Sequence, residues 1–291
     1  MGDVGSTVPR RQLGRHLREL RIAAHMTLKT AAQVLEWSEA KMSRIESGQT
    51  SVRVHDARAM CAAYGADHEL AEALVGLARE TKAKGWWHVY DDVIPDGFDV
   101  FIGLEQGADR IDWYETDLVP GLFQTPEYHR IVLAAWDANL PADEVERRIT
   151  VRMQRQAILT RPMRAVTFRV VLNEGVVRYP IGGAAVMADQ VRRIIELSNR
   201  PNVRLRVIQP DAGMHQGLMT GQFGILRFPS GRTVGEPATV YADGYLGDLY
   251  LDGDDQVARY AKAYDDIWTK ALDEQASRSL LKDVAGSYEQ H

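Results

Sequence analysis

Thr27-Leu28-Lys29-Thr30-Ala31-Ala32-Gln33-Val34-Leu35-Glu36-Trp37-Ser38-Glu39-Ala40-Lys41-Met42-Ser43-Arg44-Ile45-Glu46-Ser47-Gly48 decides how the rest of this 291-residue chain is read. The stretch reads as two short helices joined by a tight turn. Thr27 stands where a helix begins, and its hydroxyl is placed to accept from an orphan backbone N–H of the first turn. Leu28, Ala31, Ala32 and Leu35 follow at the spacing of one apolar helix face. The two alanines let a second helix cross the first at close range. Glu36-Trp37 makes the turn, and Ser38 is the next N-cap. Met42 and Ile45 point inward, and Gly48 supplies the left-handed end of the second helix.

Glu39, Ala40, Lys41, Ser43, Arg44 and Ser47 are left for the outer face of that second helix, which is short, polar and partly basic. A helix of this kind fits the major groove of DNA, where guanine offers acceptors to Arg. In a helix-turn-helix the second helix reads bases with its N-terminal residues while the first crosses the backbone. On spacing alone an ordinary helical hairpin with a solvated face fits as well. The residue types favour the nucleic-acid reading.

The stretch resembles the lambda-repressor-like helix-turn-helix regulators of the xenobiotic-response-element family. Leu35-x-Trp37-Ser38-x-x-Lys41-x-Ser43-Arg44-Ile45-Glu46-x-Gly48 is similar to the version found in actinomycete regulators of the WhiJ type. The candidate DNA-binding residues are Thr27, Leu28, Ser38, Glu39, Ala40, Lys41, Ser43, Arg44 and Arg53. Lys41 and Arg53 are assigned to phosphate, which positions a protein without specifying sequence. The chain departs from the family at Glu36, where Gly is usual. If that position is left-handed, Glu costs on the order of 1 kcal/mol more. Glu39 is also unusual at the mouth of the recognition helix; its carboxylate either accepts from a cytosine amino group or repels phosphate.

Around this motif the chain is long for one domain and comfortable for two. A content of 45% hydrophobic and 26% charged residues is that of a globular protein. The net charge of −5 at first argues against nucleic acid. It is unevenly spread: residues 1–84 carry 13 Lys+Arg against 10 Asp+Glu, net +3, and the remainder 22 against 30, net −8. A small basic head on an acidic body fits that asymmetry. The single cysteine, Cys61, excludes an internal disulfide framework and suits a reducing compartment. On the apolar face of a helix it reads as a small hydrophobe rather than a redox sensor. The N-terminus lacks a signal pattern, and no apolar run approaches the roughly 20 residues of a membrane helix. The expected location is cytoplasmic and nucleoid-associated, with no membrane partner.

Residues up to about Pro9 read as a flexible arm, with Arg10-Arg11 either touching phosphate or forming a solvated basic pair. A first helix is expected from Gln12 to Ala24, with Leu13, Leu17, Leu20 and Ala24 inside and Arg15, Arg18 and Arg21 outside. Beyond the central pair, helices are expected from Val54 to Tyr64 and from His68 to Lys84. Five short helices in this order make a mainly α head, residues 1–84, of the lambda-repressor-like fold that the resemblance implies.

Gly85-Trp86-Trp87 opens a second region, 85–291, and the adjacent tryptophans are expected in a core or interface rather than as a base-stacking platform. A helix is expected from Ile102 to about Asp117, and a type II turn at Val119-Pro120-Gly121-Leu122 with Gly121 at positive φ. Thr125-Pro126 reads as N-cap and first residue of a helix to Trp136, and another helix is expected from Pro141 to Thr160. Strands are expected at 166–172, 203–208, 222–228, 238–242 and 249–251, with helices at 184–199, 254–272 and 277–284. The body is therefore α+β.

Trp86-Trp87-x-x-Tyr90, Gly103-Leu104-Glu105-x-x-Ala108, Val119-Pro120-Gly121-Leu122-x-Gln124-Thr125-x-x-Tyr128, Arg155-Gln156-x-x-Leu159, Asn173-Glu174 and Gly213-x-His215 also resemble the body of the same regulators. The resemblance implies genomic pairing with a small partner protein, in a toxin–antitoxin-like arrangement.

No His-Glu-x-x-His, Cys pair, phosphate-binding Gly-rich loop or Gly-x-Ser-x-Gly is present, so no enzyme, cofactor or metal site is expected. His88, His129 and His215 are scattered. Asp211-Ala212-Gly213-Met214-His215-Gln216-Gly217 is the most site-like loop and is expected to hold an exposed His. Arg152, Arg155, Gln156 and Glu174 form either a buried ionic network, the favoured reading, or an effector pocket. The expected function is a sequence-specific DNA-binding transcriptional regulator, homodimeric on a double-stranded operator. The alternative is an antitoxin-like protein that binds a small partner encoded nearby and autoregulates its operon.

Overall fold

A computed structural model describes residues 7–82, 84–95, 97–229, 236–244 and 247–290. The chain forms two compact units: one of residues 1–89, 98–107 and 230–236, the other of 90–97, 108–229 and 237–291. The first is the helical head, and the second is an α+β body.

The head contains α1 (Thr7–Ala23), α2 (Leu28–Val34), α3 (Glu39–Glu46), α4 (Val54–Ala63), α5 (His68–Glu80) and α6 (Phe98–Gly107). The part of the expected arm at residues 1–6 lies outside the described residues; Thr7–Pro9 are helical. Pro9 sits in the first turn of α1, where a missing N–H leaves no hydrogen bond unmade. Leu13, Leu17, Ala31, Ala32, Met42, Ile45, Val52, Ala57, Met60, Cys61 and Leu74 form one buried cluster. Cys61 is thus a core residue, and burial pushes its thiol up. Trp87, in a 3-10 turn over Trp86–Tyr90, is also buried and meets Trp86 edge to face.

The body holds one mixed six-stranded sheet of order β3-β2-β1-β4-β5-β6. The strands are β1 (Arg110–Glu115), β2 (Thr167–Asn173), β3 (Val203–Ile208), β4 (Phe223–Arg227), β5 (Thr239–Ala242) and β6 (Leu249–Leu251). β1, β2 and β3 are parallel, and β4, β5 and β6 continue antiparallel. The parallel pairs need long crossovers. These are α7 (Pro126–Trp136) with α8 (Ala142–Arg155), then a short α9 (Gly175–Arg178) with α10 (Ala184–Ser198).

After a further short turn of helix, α11 (Gly217–Thr220), the chain ends in α12 (Asp254–Lys270) and α13 (Glu274–Glu289). α12 covers one face of the sheet, with Tyr264 and Ile267 against Tyr114, Val171, Phe223 and Val240. The outer edge of β3 is closed by side chain and loop: Val207 N–H donates to Ser277 Oγ at 2.9 Å, and Leu272 N–H donates to Val207 O at 2.9 Å. That satisfies groups which would otherwise pair with another chain.

Several expectations change. The helix expected over 102–117 is two elements: α6 ends at Gly107, and Arg110–Glu115 is the central strand β1. Ile111, Trp113 and Tyr114 suit a strand, but Asp112 and Glu115 hide the alternation because both acids are buried. Asp112 is kept there by Arg110 (two bonds of 2.9 Å), Arg227 (3.3 Å) and Arg169 (3.6 Å). Gly121 does not have a positive φ, so the type II turn is not formed. The turn closes one residue later, Phe123 N–H to Pro120 O at 2.8 Å. Gly121 instead leaves room for a guanidinium: a Cβ there would lie 2.2 Å from Arg152 Nη1, which would have to shift.

Candidate nucleic-acid interface

Both helices of the motif start on the expected caps. Thr27 Oγ1 accepts from Thr30 N–H at 3.0 Å, and Ser38 Oγ accepts from Lys41 N–H at 3.2 Å. Glu36 is left-handed, with φ +56. Trp37 N–H reaches Ala32 O at 2.9 Å and Glu36 N–H reaches Gln33 O at 3.2 Å, which is a Schellman end. The same pair of bonds closes α1 at His25 (φ +55), α3 at Gly48 and α4 at Gly65. Two of the four ends therefore carry a side chain where glycine has no steric cost.

The outer face is open. Thr27, Ser38, Glu39, Ala40, Ser43, Arg44, Ser47 and Arg53 are exposed and Leu28 half-buried, while Met42 (0% exposed) and Ile45 (1%) clamp α3 from behind. Lys41 is placed differently from a free phosphate contact. Its ammonium lies 3.4 Å from the centre of the Trp37 ring and 3.3 Å from Asp56 Oδ2. It is drawn across the foot of the helix by a ring face and a carboxylate. Arg53 is the N-cap of α4 and makes no side-chain capping bond, so its guanidinium stands beside an uncapped helix start. Trp37, Lys41, Arg44, Gln49, Arg53 and Asp56 line one open depression there. Backbone N–H groups and the dipole of a helix start attract phosphate.

What holds α3 at this angle was not read from the motif. Arg21, expected on a wet face, donates to Glu46 Oε1 at 2.7 Å and Oε2 at 2.8 Å, and to Met26 O at 2.8 Å. The fork joins α1 to the last residue of α3 and to the link into α2. Hydrogen bonding to Glu46 raises the Arg21 guanidinium, and burial, with Glu46 close by, holds the Tyr64 phenol well up. Gly14 is the second device. A Cβ there would lie 2.5 Å from Ile45 O and 2.7 Å from Glu46 O, so α1 and α3 touch backbone to backbone. A glycine in mid-helix was the available signal. Arg10 and Arg11 are not a solvated pair: Arg10 Nε donates to Thr81 O at 3.1 Å, and Arg11 Nε to Glu236 Oε1 at 3.2 Å.

In the body, His215 is buried at 5% exposure rather than exposed. It packs edge-on to Tyr114, and desolvation lowers its pKa. Its loop is pinned by Gln216 N–H to Asp266 Oδ2 at 2.8 Å. The expected Arg152, Arg155, Gln156 and Glu174 cluster is split. Gln156 donates to Gln124 O at 2.7 Å beside Gly121, whereas Glu174 pairs with Arg178 and Gln209. Among the described residues no group of three or more His, Cys, Asp or Glu is placed to hold a metal ion. No described helix is long and apolar enough to cross a membrane.

Capped α2, a left-handed turn and an α3 clamped from behind with its outer face open define a helix-turn-helix. The helix-turn-helix domain family matches residues 12–74, and the protein is a DNA-binding regulator of that general class. Its body places it more narrowly: the chain belongs to the DUF5753 family, a domain of unknown function, which matches residues 98–283. No curated protein and no solved structure matches the chain.

Proposed function

We propose that the protein is a sequence-specific transcriptional regulator that lays α3 in the major groove of its operator, with the body serving dimerisation and partner or ligand sensing. One observation carries the reading. Glu39, Ala40, Ser43 and Arg44 of α3 are exposed together with Lys41 half-exposed beside them, while Met42 and Ile45 are sealed in the core of the head and Glu46 is buried against Arg21. Ser38, Glu39, Ala40 and Ser43 then face base edges, and Arg44 offers a guanidinium fork to guanine. Thr27, Leu28 and Arg53 face phosphate. Lys41 is a positioning cation held by Trp37 and Asp56, and Arg53 carries the larger phosphate role. Paired heads on half-sites one helical turn apart make the operator-bound form a dimer. The body binds and does not catalyse.

The test is to recover the protein with its bound DNA, sequence that DNA, and titrate the resulting duplex with wild type and Arg44→Ala. The variant is expected to lose about 1–3 kcal/mol of specific binding and to relax specificity at one position. Unchanged affinity refutes the assignment of α3.

A second reading, an interaction protein that captures a small neighbour-encoded partner and autoregulates, is favoured by Met214, Leu218 and Met219, three exposed apolar side chains within six residues. Co-purification with the neighbouring gene product supports it. A body that never forms that complex counts against it.

A further inference from the structure

The head unit includes one described residue from far downstream, Glu236, which lies three residues before β5 in the chain. Its carboxylate has no exposed side-chain surface and accepts from two arginines one turn apart on α1. Arg11 Nε lies at 3.2 Å and Arg15 Nη2 at 3.1 Å, both on Oε1. Arg11 and Arg15 bracket Gly14, on which the last carbonyls of α3 rest. The backbone of Arg11 serves the same contact: a Cβ on Gly48, which ends α3, would stand 2.8 Å from the Arg11 Cα. The turn 11–15 is therefore the seat of the recognition helix, and Glu236 bonds both its flanks. Two guanidiniums four residues apart repel each other along a helix. The shared carboxylate removes that repulsion and fixes both stems.

We infer that Glu236 is a positioning residue for the recognition helix: it touches no base, and it sets operator affinity by holding the α1 turn on which α3 is seated. The consequence is that a carboxylate 221 residues downstream of Arg15 fixes the seat of the DNA-reading surface. Whatever shifts residue 236 shifts the seat. The inference rests on α3 being the base-reading element, and its test separates the two.

The experiment uses the full-length protein and the variants Glu236→Gln, Glu236→Asp, Arg15→Gln and the double variant Glu236→Gln/Arg15→Gln. Operator affinity is measured at a temperature where circular dichroism shows each variant folded, and amide hydrogen exchange is followed without DNA. Glu236→Gln is expected to weaken operator binding about fivefold or more, the low end of coupling between linked sites. Glu236→Asp should recover part of the loss, and the double variant should be no worse than the worse single one. Exchange at Ile45 to Gly48 should quicken in Glu236→Gln while that of β1 and β2 stays as in wild type. A lower melting temperature with unchanged operator affinity and unchanged α3 exchange overturns the inference, because Glu236 would then only stabilise. The exchange arm involves no DNA, so it still tests the seat of α3 if Arg44→Ala shows that the base-reading assignment fails.

Discussion

Replacing Gly14 by Ala puts a methyl group into the crossing where α1 meets the backbone of α3. The new Cβ would lie 2.5 Å from Ile45 O, 2.7 Å from Glu46 O and 3.0 Å from Glu46 C. All three atoms are backbone, so no side chain can swing aside. Ordinary contact would require the end of α3 to withdraw by roughly 1 Å. Two effects compete. Ala is favoured over Gly inside a helix by about 1 kcal/mol. Overpacking a close contact costs about 1–3 kcal/mol. The withdrawal also stretches the Arg21–Glu46 fork, whose bonds are 2.7 and 2.8 Å. Sterics and the stretched fork together should win, for a net destabilisation of about 1–2 kcal/mol. A loss of about tenfold in operator affinity is expected as well, since base contacts tolerate little displacement. Urea denaturation of the full-length protein gives the first number and duplex titration the second. A variant as stable as wild type, or more so, would mean that propensity outweighs the crossing and that Gly14 does not seat α3.

Other outcomes follow from the same contacts. Arg53→Ala should weaken binding to operator and random duplex alike and lessen the salt slope, whereas Lys41→Ala, whose ammonium is already engaged by Asp56 and Trp37, should lessen it less; log–log salt titrations compare them. Glu36→Gly removes a left-handed cost of about 1 kcal/mol and adds unfolded-chain entropy of similar size, so stability should change by under about 1 kcal/mol, read by melting; a large loss would show that the Glu36 side chain matters. Arg21→Met leaves the Glu46 carboxylate buried and unpaired and should cost about 3–5 kcal/mol in urea denaturation. Glu115 is buried and held up to about 8, by desolvation above all. The folded state keeps its proton after the unfolded state has lost it, so stability should fall as pH rises from about 4.5 to 8, by up to about 1.4 kcal/mol per unit. Glu115→Gln should flatten that slope in urea titrations across the window.

Local signals in the head were strong enough to survive folding. Thr27 and Ser38 cap because their hydroxyls serve a backbone N–H two or three residues away, a choice made within one turn. Met42 and Ile45 are buried because they share a helix face. Arg21 shows the limit. At helical spacing it belongs with Arg15 and Arg18 on a wet face, and only the approach of Glu46 turns it inward. β1 shows another. Its buried Asp112 erases the alternation that marks a strand, and the three arginines that make this tolerable come from β1, β2 and β4. Gly121 has the right residue for a left-handed turn but serves instead to admit Arg152.

The amino-acid sequence alone determined the class of head, its order of helices, its caps, the outward set on α3 and the α+β character of the body. Each depends on periodicity or on a bond spanning a few residues. Tertiary structure decided which charges are buried, which strand is central, and what seats α3. Those depend on partners such as Arg21 and Glu46, or Glu236 and Arg15, 25 and 221 residues apart in the chain. A charged side chain carries no mark of its future partner, and the same arginine is a solvated surface residue or a buried clasp according to what folding brings within 3 Å.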